Sequence, residues 1–163
     1  MKTLFILRHG KAEEIAVGGD KKRALKGRGR RDAEAMGVLI GELARPDLVV
    51  SSDAVRARQT AEIASEAFGY EGEIEFEPAI YSAGLDHLIA LVRGLPNRAG
   101  SVLLVGHNPT FEDLSWGLAA EGTPPVSLPT AGFAHLEFNA ARWRDVKPGK
   151  GRLVGVHSPK AER

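Results

Sequence analysis

Arg8 and His9 stand at the end of an apolar run, "TLFIL" (3–7), and Gly10 follows them. A second run, "SVLLV" (101–105), ends in Gly106-His107-Asn108-Pro109. A third, "LVV" (48–50), is followed by Ser51 and Ser52 and then by a helix-length segment that carries Arg56. Two imidazoles and two guanidiniums therefore recur where apolar runs stop. Guanidiniums grip a phosphoryl dianion bidentately. A neutral imidazole held among them can attack phosphorus, and a second one, if protonated, stabilises the oxygens of the transition state. The same set suits a metal poorly: neighbouring guanidiniums repel a cation, and no carboxylate adjoins either histidine in the sequence. The chemistry expected of Arg8, His9, Arg56 and His107 is phosphoryl transfer without a metal or other cofactor.

These side chains converge only if the runs are neighbouring parallel strands, because ligands of α/β sheets collect beyond the carboxyl ends of the strands. Two further runs, "AHLEF" (134–138) and "RLVGV" (152–156), read as additional strands, the last closing the sheet near the C-terminus. Apolar residues at helical spacing mark helices over 28–45 and 53–68, and 85–93 and 110–120 complete the set. Strands alternating with helices predict a three-layer α/β/α sandwich with a mostly parallel central sheet. "EGEIEFEP" (71–78) alternates charged and apolar residues, as expected of an edge strand guarded by carboxylates. Asn108 is expected to cap the helix after it with Pro109 at the first helical position, and Ser52 to cap the helix from 53. Arg56 then falls in a first turn, where the macrodipole disfavours a cation by about 0.3–1 kcal/mol, a hint that it serves a ligand. Arg58, two residues on, points elsewhere.

At 163 residues, with 43% hydrophobic and 26% charged residues, the chain is expected to form a single domain over 1–163. A formal net charge of +1 gives no global drive toward nucleic acid or membrane. The absence of cysteine excludes disulfides and thiolate chemistry and suits a cytoplasmic location. The run before Arg8 is too short for a signal peptide, and no segment approaches the roughly 20 apolar residues of a membrane span. Seven cations in "KKRALKGRGRR" (21–31) read as a solvated loop and helix start, or as a basic rim that steers an acidic phosphoprotein. His87, His135, Trp116 and Trp143 are assigned to packing or structure, and His157 to a fraying tail.

"LRHG" (7–10), "SSDAVRARQTAE" (51–62) and "VGHNPTFEDL" (105–114) together resemble the histidine phosphatase superfamily, in its phosphoglycerate-mutase-like branch. "RALKGRGRRDAEAMG" (23–37) and "PTAGFAHLEF" (129–138) make the chain most similar to the SixA type of protein-phosphohistidine phosphatase, over residues 3 to about 145. By position, the resemblance implies that His9 is the phosphorylated nucleophile, with Arg8, Arg56 and His107 around the phosphate and Asn108 lending it a further contact. Larger members of the superfamily add a carboxylate as general acid. Here the matching stretch, "PAIYSAGLDHL" (78–88), offers Tyr81 and Ser82 instead. Asp20 could swing over the site, although its place in "GGDKKR" reads first as a turn. A site lacking a strong acid favours N-phosphorylated substrates, because imidazole is a better leaving group than an alkoxide. The expected partner is a phosphohistidine-containing protein such as a phosphotransfer domain. A small phosphate ester is the alternative substrate, and a phosphoprotein-binding module with little turnover the alternative of another class.

Overall fold

The computed structural model describes residues 1–162. In chain order the regular elements are β1 (Lys2–Arg8), α1 (Gly27–Ala44), β2 (Leu48–Ser51), α2 (Val55–Ala67), β3 (Glu75–Phe76), α3 (Leu85–Arg93), β4 (Ser101–Gly106), α4 (Thr110–Leu118), β5 (Phe133–Phe138), β6 (Arg152–His157) and the short α5 (Pro159–Glu162). The six strands form one sheet in the order β3-β2-β4-β1-β5-β6. β1, β2, β3 and β4 are parallel, whereas β5 runs antiparallel to both β1 and β6. The α/β sandwich read from the sequence is the observed architecture, and its three decisive strands are adjacent.

Alternation along the central strands separates two cores. Leu4 and Ile6 of β1 join Val102 and Leu104 of β4 on one face, where Leu88 and Val92 of α3 and Phe111, Leu114 and Leu118 of α4 cover them. Phe5 and Leu7 join Leu103 and Val105 on the other face, under Met36 and Ile40 of α1 and Ala57, Ala61 and Ala64 of α2. Both faces are thus buried, which is why these strands read as continuous apolar runs rather than alternating ones. α1 carries four glycines, each costing about 1 kcal/mol of helix propensity. Burial of each large apolar side chain contributes about 1.5–3 kcal/mol and outweighs that loss. Two of those glycines also serve the packing. A Cβ at Gly37 would stand 2.6 Å from the Ala64 carbonyl oxygen of α2, and one at Gly41 would stand 2.7 Å from Phe68.

Several local expectations are corrected. The edge strand shrinks to Glu75–Phe76, because Glu77 turns to accept a hydrogen bond from the Ala79 N–H and starts a 3-10 turn. α4 begins at Thr110, so Asn108 is not its cap. α2 begins at Val55, so Ser52 lies outside it. His157 does not fray: it ends β6 and stacks on Phe133 with ring centroids 5.0 Å apart. Trp116 is half-exposed rather than packed, and its indole donates to the Thr123 carbonyl. Trp143 is fully buried as expected. Among the described residues no helix is long and apolar enough to cross a membrane.

Candidate active site

β1 delivers His9 into a backbone clamp. The His9 N–H donates to the Gly106 carbonyl at the end of β4, and the His9 carbonyl accepts from Ala131 N–H before β5. Gly10 N–H donates to Thr60 Oγ1 of α2, and that hydroxyl donates to the Arg56 carbonyl one turn earlier. Gly10 and Lys11 also meet Gly29 of α1 backbone to backbone: a Cβ on Gly10 would stand 2.8 Å from the Gly29 carbonyl oxygen, and one on Gly29 2.1 Å from the Lys11 carbonyl oxygen. The imidazole donates from Nδ1 to the Gly10 carbonyl at 2.8 Å. A carbonyl can only accept, so Nδ1 carries the hydrogen and Nε2 keeps its lone pair. Arg56 Nε lies 3.3 Å from that Nε2. Burial lowers the His9 pKa to about 3, with His107, Arg56 and Arg8 acting in the same direction against the Gly10 carbonyl. The ring is therefore neutral at physiological pH.

His107, at the end of β4, sits with its ring centroid 5.3 Å from that of His9. Its Nε2 lies 2.8 Å from Ser52 Oγ at the end of β2, while Nδ1 is buried without a protein partner. Ser52 Oγ already accepts the Ala54 N–H, so its own hydrogen is free for His107. The residue expected to cap a helix instead links β2 to the second histidine. Burial first, then Arg56, lowers the His107 pKa to about 4 against the opposing pull of Asp20. Both imidazoles are thus neutral near pH 7 in the free protein, and protonation of His107 requires an incoming anion.

The guanidiniums are held by backbone and carboxylate. Arg8 Nη1 and Asn108 Nδ2 both donate to the Leu128 carbonyl, and Glu112 Oε2 accepts the Leu128 N–H. Burial lowers the Arg8 pKa, and Glu112 opposes the shift. Arg56 donates from Nη1 to the Asp20 carbonyl and from Nη2 to Asp20 Oδ2. Arg8, His9, Arg56 and His107 line one cavity of about 260 Å³, with Lys11, Arg23 and Asn108 on its wall. Arg58 faces away and lies 4.2 Å over the Phe76 ring.

Asp20 is not merely a turn residue. Its Oδ2 accepts from Tyr81 OH at 2.5 Å and from Arg56 at 3.1 Å, while Oδ1 accepts from Arg23 Nε at 2.9 Å. Tyr81 first, then Arg23 and Arg56, holds the Asp20 carboxyl well below the usual carboxylate range. The carboxylate correspondingly raises the Tyr81 pKa. A carboxylate therefore does reach this site, but in ionised form. Among the described residues no group of three or more His, Cys, Asp or Glu side chains is placed to hold a metal ion.

The sequence reading missed Thr60, the Leu128 peptide and Glu112. Thr60 lies one helical turn after Arg56, so the i,i+4 relation could have revealed it. The Leu128 peptide acts through backbone atoms and leaves no residue-type signal.

The family model described as histidine phosphatase superfamily (branch 1) matches residues 4–81. An uncharacterized protein of Mycobacterium tuberculosis is 33% identical, over 94% of this chain and 100% of its own. A structure named for the phosphohistidine phosphatase SixA of Nakamurella multipartitia is 31% identical at a TM-score of 0.81, covering 97% of this chain and 96% of that one. The protein histidine phosphatase SixA complexed with tungstate shares the fold at a TM-score of 0.85, with 24% identity and 99% of each chain covered. The chain belongs to the histidine phosphatase superfamily, branch 1, and is a phosphatase.

Proposed function

We propose that this phosphatase removes phosphoryl groups from phosphohistidine in proteins, through a covalent phosphohistidine on His9. The observation that carries the reading is the His9 ring itself: neutral, with Nδ1–H fixed on the Gly10 carbonyl and the Nε2 lone pair turned toward Arg56. Nε2 attacks phosphorus, forming a P–Nε2 bond as the P–N bond of the substrate breaks. A substrate imidazole whose other nitrogen carries a proton departs neutral and needs no proton from the enzyme. Arg8 and Arg56 hold the equatorial oxygens, and the approaching dianion favours protonation of His107, which then adds its charge. Water next attacks phosphorus, the P–Nε2 bond breaks, and orthophosphate leaves with the lone pair back on His9.

The state of Asp20 supports the choice of leaving group. The carboxylate at the pocket is held ionised by Tyr81, Arg23 and Arg56, which makes it a poor proton donor to an alkoxide. The likeness to proteins named for phosphohistidine phosphatase SixA supports the same substrate class, and tungstate in one of them is a tetrahedral oxyanion like the group expected here.

The test is single-turnover dephosphorylation of a histidine-phosphorylated phosphotransfer domain beside small phosphomonoesters, with wild-type and His9→Ala protein. Rapid loss from phosphohistidine, dependent on His9, is expected. Preference for a monoester would transfer the protein to small-molecule metabolism, and binding without turnover would make it a phosphoprotein-binding module.

A further inference from the structure

We infer that residues 13–19 form a docking finger that engages the protein bearing the phosphohistidine, with Ile15 and Val17 as its contact residues. The inference rests on the phosphoprotein reading above. Ile15 is 86% exposed and Val17 102% exposed, both in one short segment. A single exposed aliphatic side chain needs no explanation, but two on one short segment whose ends line a phosphatase cavity do. The segment leaves that mouth and returns to it. Lys11 and Ala12 line the cavity on the way out, and Arg23 on the way back.

Both ends of the finger are fastened. Ala12 pairs with Leu25 in an antiparallel bridge, and Glu13 N–H donates to the Ala24 carbonyl. Arg23 Nη1 donates to the Glu13 carbonyl at 2.8 Å. Gly18 and Gly19, at φ of 97° and 100°, reverse the chain in a conformation that L side chains rarely adopt. That reversal brings Asp20 onto Arg56 and Tyr81. The aliphatic pair is therefore mounted on the same loop that contacts the phosphate-binding arginine.

A histidine borne on a protein surface reaches His9 only if that surface lies across the cavity mouth, beside the segment whose ends line the cavity and which carries Ile15 and Val17. The occupant is thus the substrate protein, presenting an apolar patch beside its phosphohistidine. Exposed Lys11 and Lys22 flank the pair, with Lys22 packed beside Gly18. Glu13 and Glu14, also exposed, precede Ile15, so the charge around the pair is mixed and the contact rests on the two aliphatic side chains. None of residues 13–19 lines the cavity that a small phosphate ester would occupy.

The experiment compares wild type with the Ile15→Ser/Val17→Ser double variant on two substrates, phosphoramidate and a histidine-phosphorylated phosphotransfer domain. The expected result is an unchanged kcat/KM for phosphoramidate and a loss of roughly tenfold or more for the phosphoprotein, through KM. Restoration by Ile15→Leu/Val17→Ile would identify apolar contact as the cause. Equal loss on both substrates would overturn the inference by reducing the finger to a support for Asp20. Wild-type turnover of the phosphoprotein that the double variant matches would overturn it while leaving the phosphoprotein reading intact. Failure of wild type on the phosphoprotein, with phosphoramidate hydrolysed, would remove both.

Discussion

His9 depends on one carbonyl for its reactive form, and Arg56 on one carboxylate for its position. Asp20 Oδ2 competes with any oxyanion for Arg56 Nη2, and its charge opposes a dianion nearby. Asp20→Asn should therefore tighten tungstate binding by about fivefold, corresponding to about 1 kcal/mol for a half-exposed charge screened by solvent. Isothermal titration of both proteins with tungstate measures this; weaker binding by the variant would show that Asp20 chiefly positions Arg56. Arg8, His9, Arg56 and His107 were legible in the sequence because each follows a strand end, and the structure brings all four to one cavity. Asp20 was legible only as a loop residue able to swing over the site, since its contact with Arg56 depends on a two-glycine reversal and a partner 36 positions away. Ser52 was legible as a polar residue after β2, but its link to His107 depends on the spacing between two neighbouring strands.

At the scale of elements, α1 presents glycines to two different neighbours, and the two contacts have separable consequences. Gly29 faces the backbone of Lys11 beside the His9 turn, whereas Gly37 faces Ala64 in the helix pair remote from it. Forcing a Cβ into either close approach is expected to cost about 1–3 kcal/mol. Gly29→Ala should also displace the His9 turn and lower kcat, while Gly37→Ala should leave the turnover of its folded fraction unchanged. Denaturation midpoints together with steady-state rates distinguish the two; equal rates in both variants would refute the assignment. The elements themselves were largely readable from apolar runs and helical spacing. Their ends were not, because Asn108 and Ser52 satisfy tertiary partners and Glu77 caps a 3-10 turn that no apolar pattern announces.

The folded molecule keeps several buried histidines neutral, and this governs its response to acid. Burial lowers His9 to about 3 and His107 to about 4 from an ordinary 6.5, and lowers His135 as well. Above pH 6.5 these groups are neutral in both states and contribute nothing to pH dependence. As pH falls below 6.5 the unfolded chain binds protons that the folded chain refuses, so stability declines until the folded values are reached. Each tenfold change in proton affinity corresponds to about 1.4 kcal/mol. The combined effect is comparable with the about 5–15 kcal/mol stability of an ordinary domain. Urea midpoints should fall steadily from pH 7 to pH 4.5, and a His9→Asn/His107→Asn variant should show a flatter decline. Identical slopes would contradict the assignment of these two rings as the source.

The bonds that Arg56 makes within the protein also bear on the end of the catalytic cycle. Nε, Nη1 and Nη2 each have an acceptor in His9 Nε2 or Asp20. Orthophosphate at this site shares Arg56 with these acceptors and meets the negative charge of Asp20, and its departure relieves that repulsion. Product inhibition should accordingly be weak, with orthophosphate in the millimolar range needed to halve the rate, about 4 kcal/mol of binding. An enzyme of this kind can keep working in a medium already rich in the product it makes.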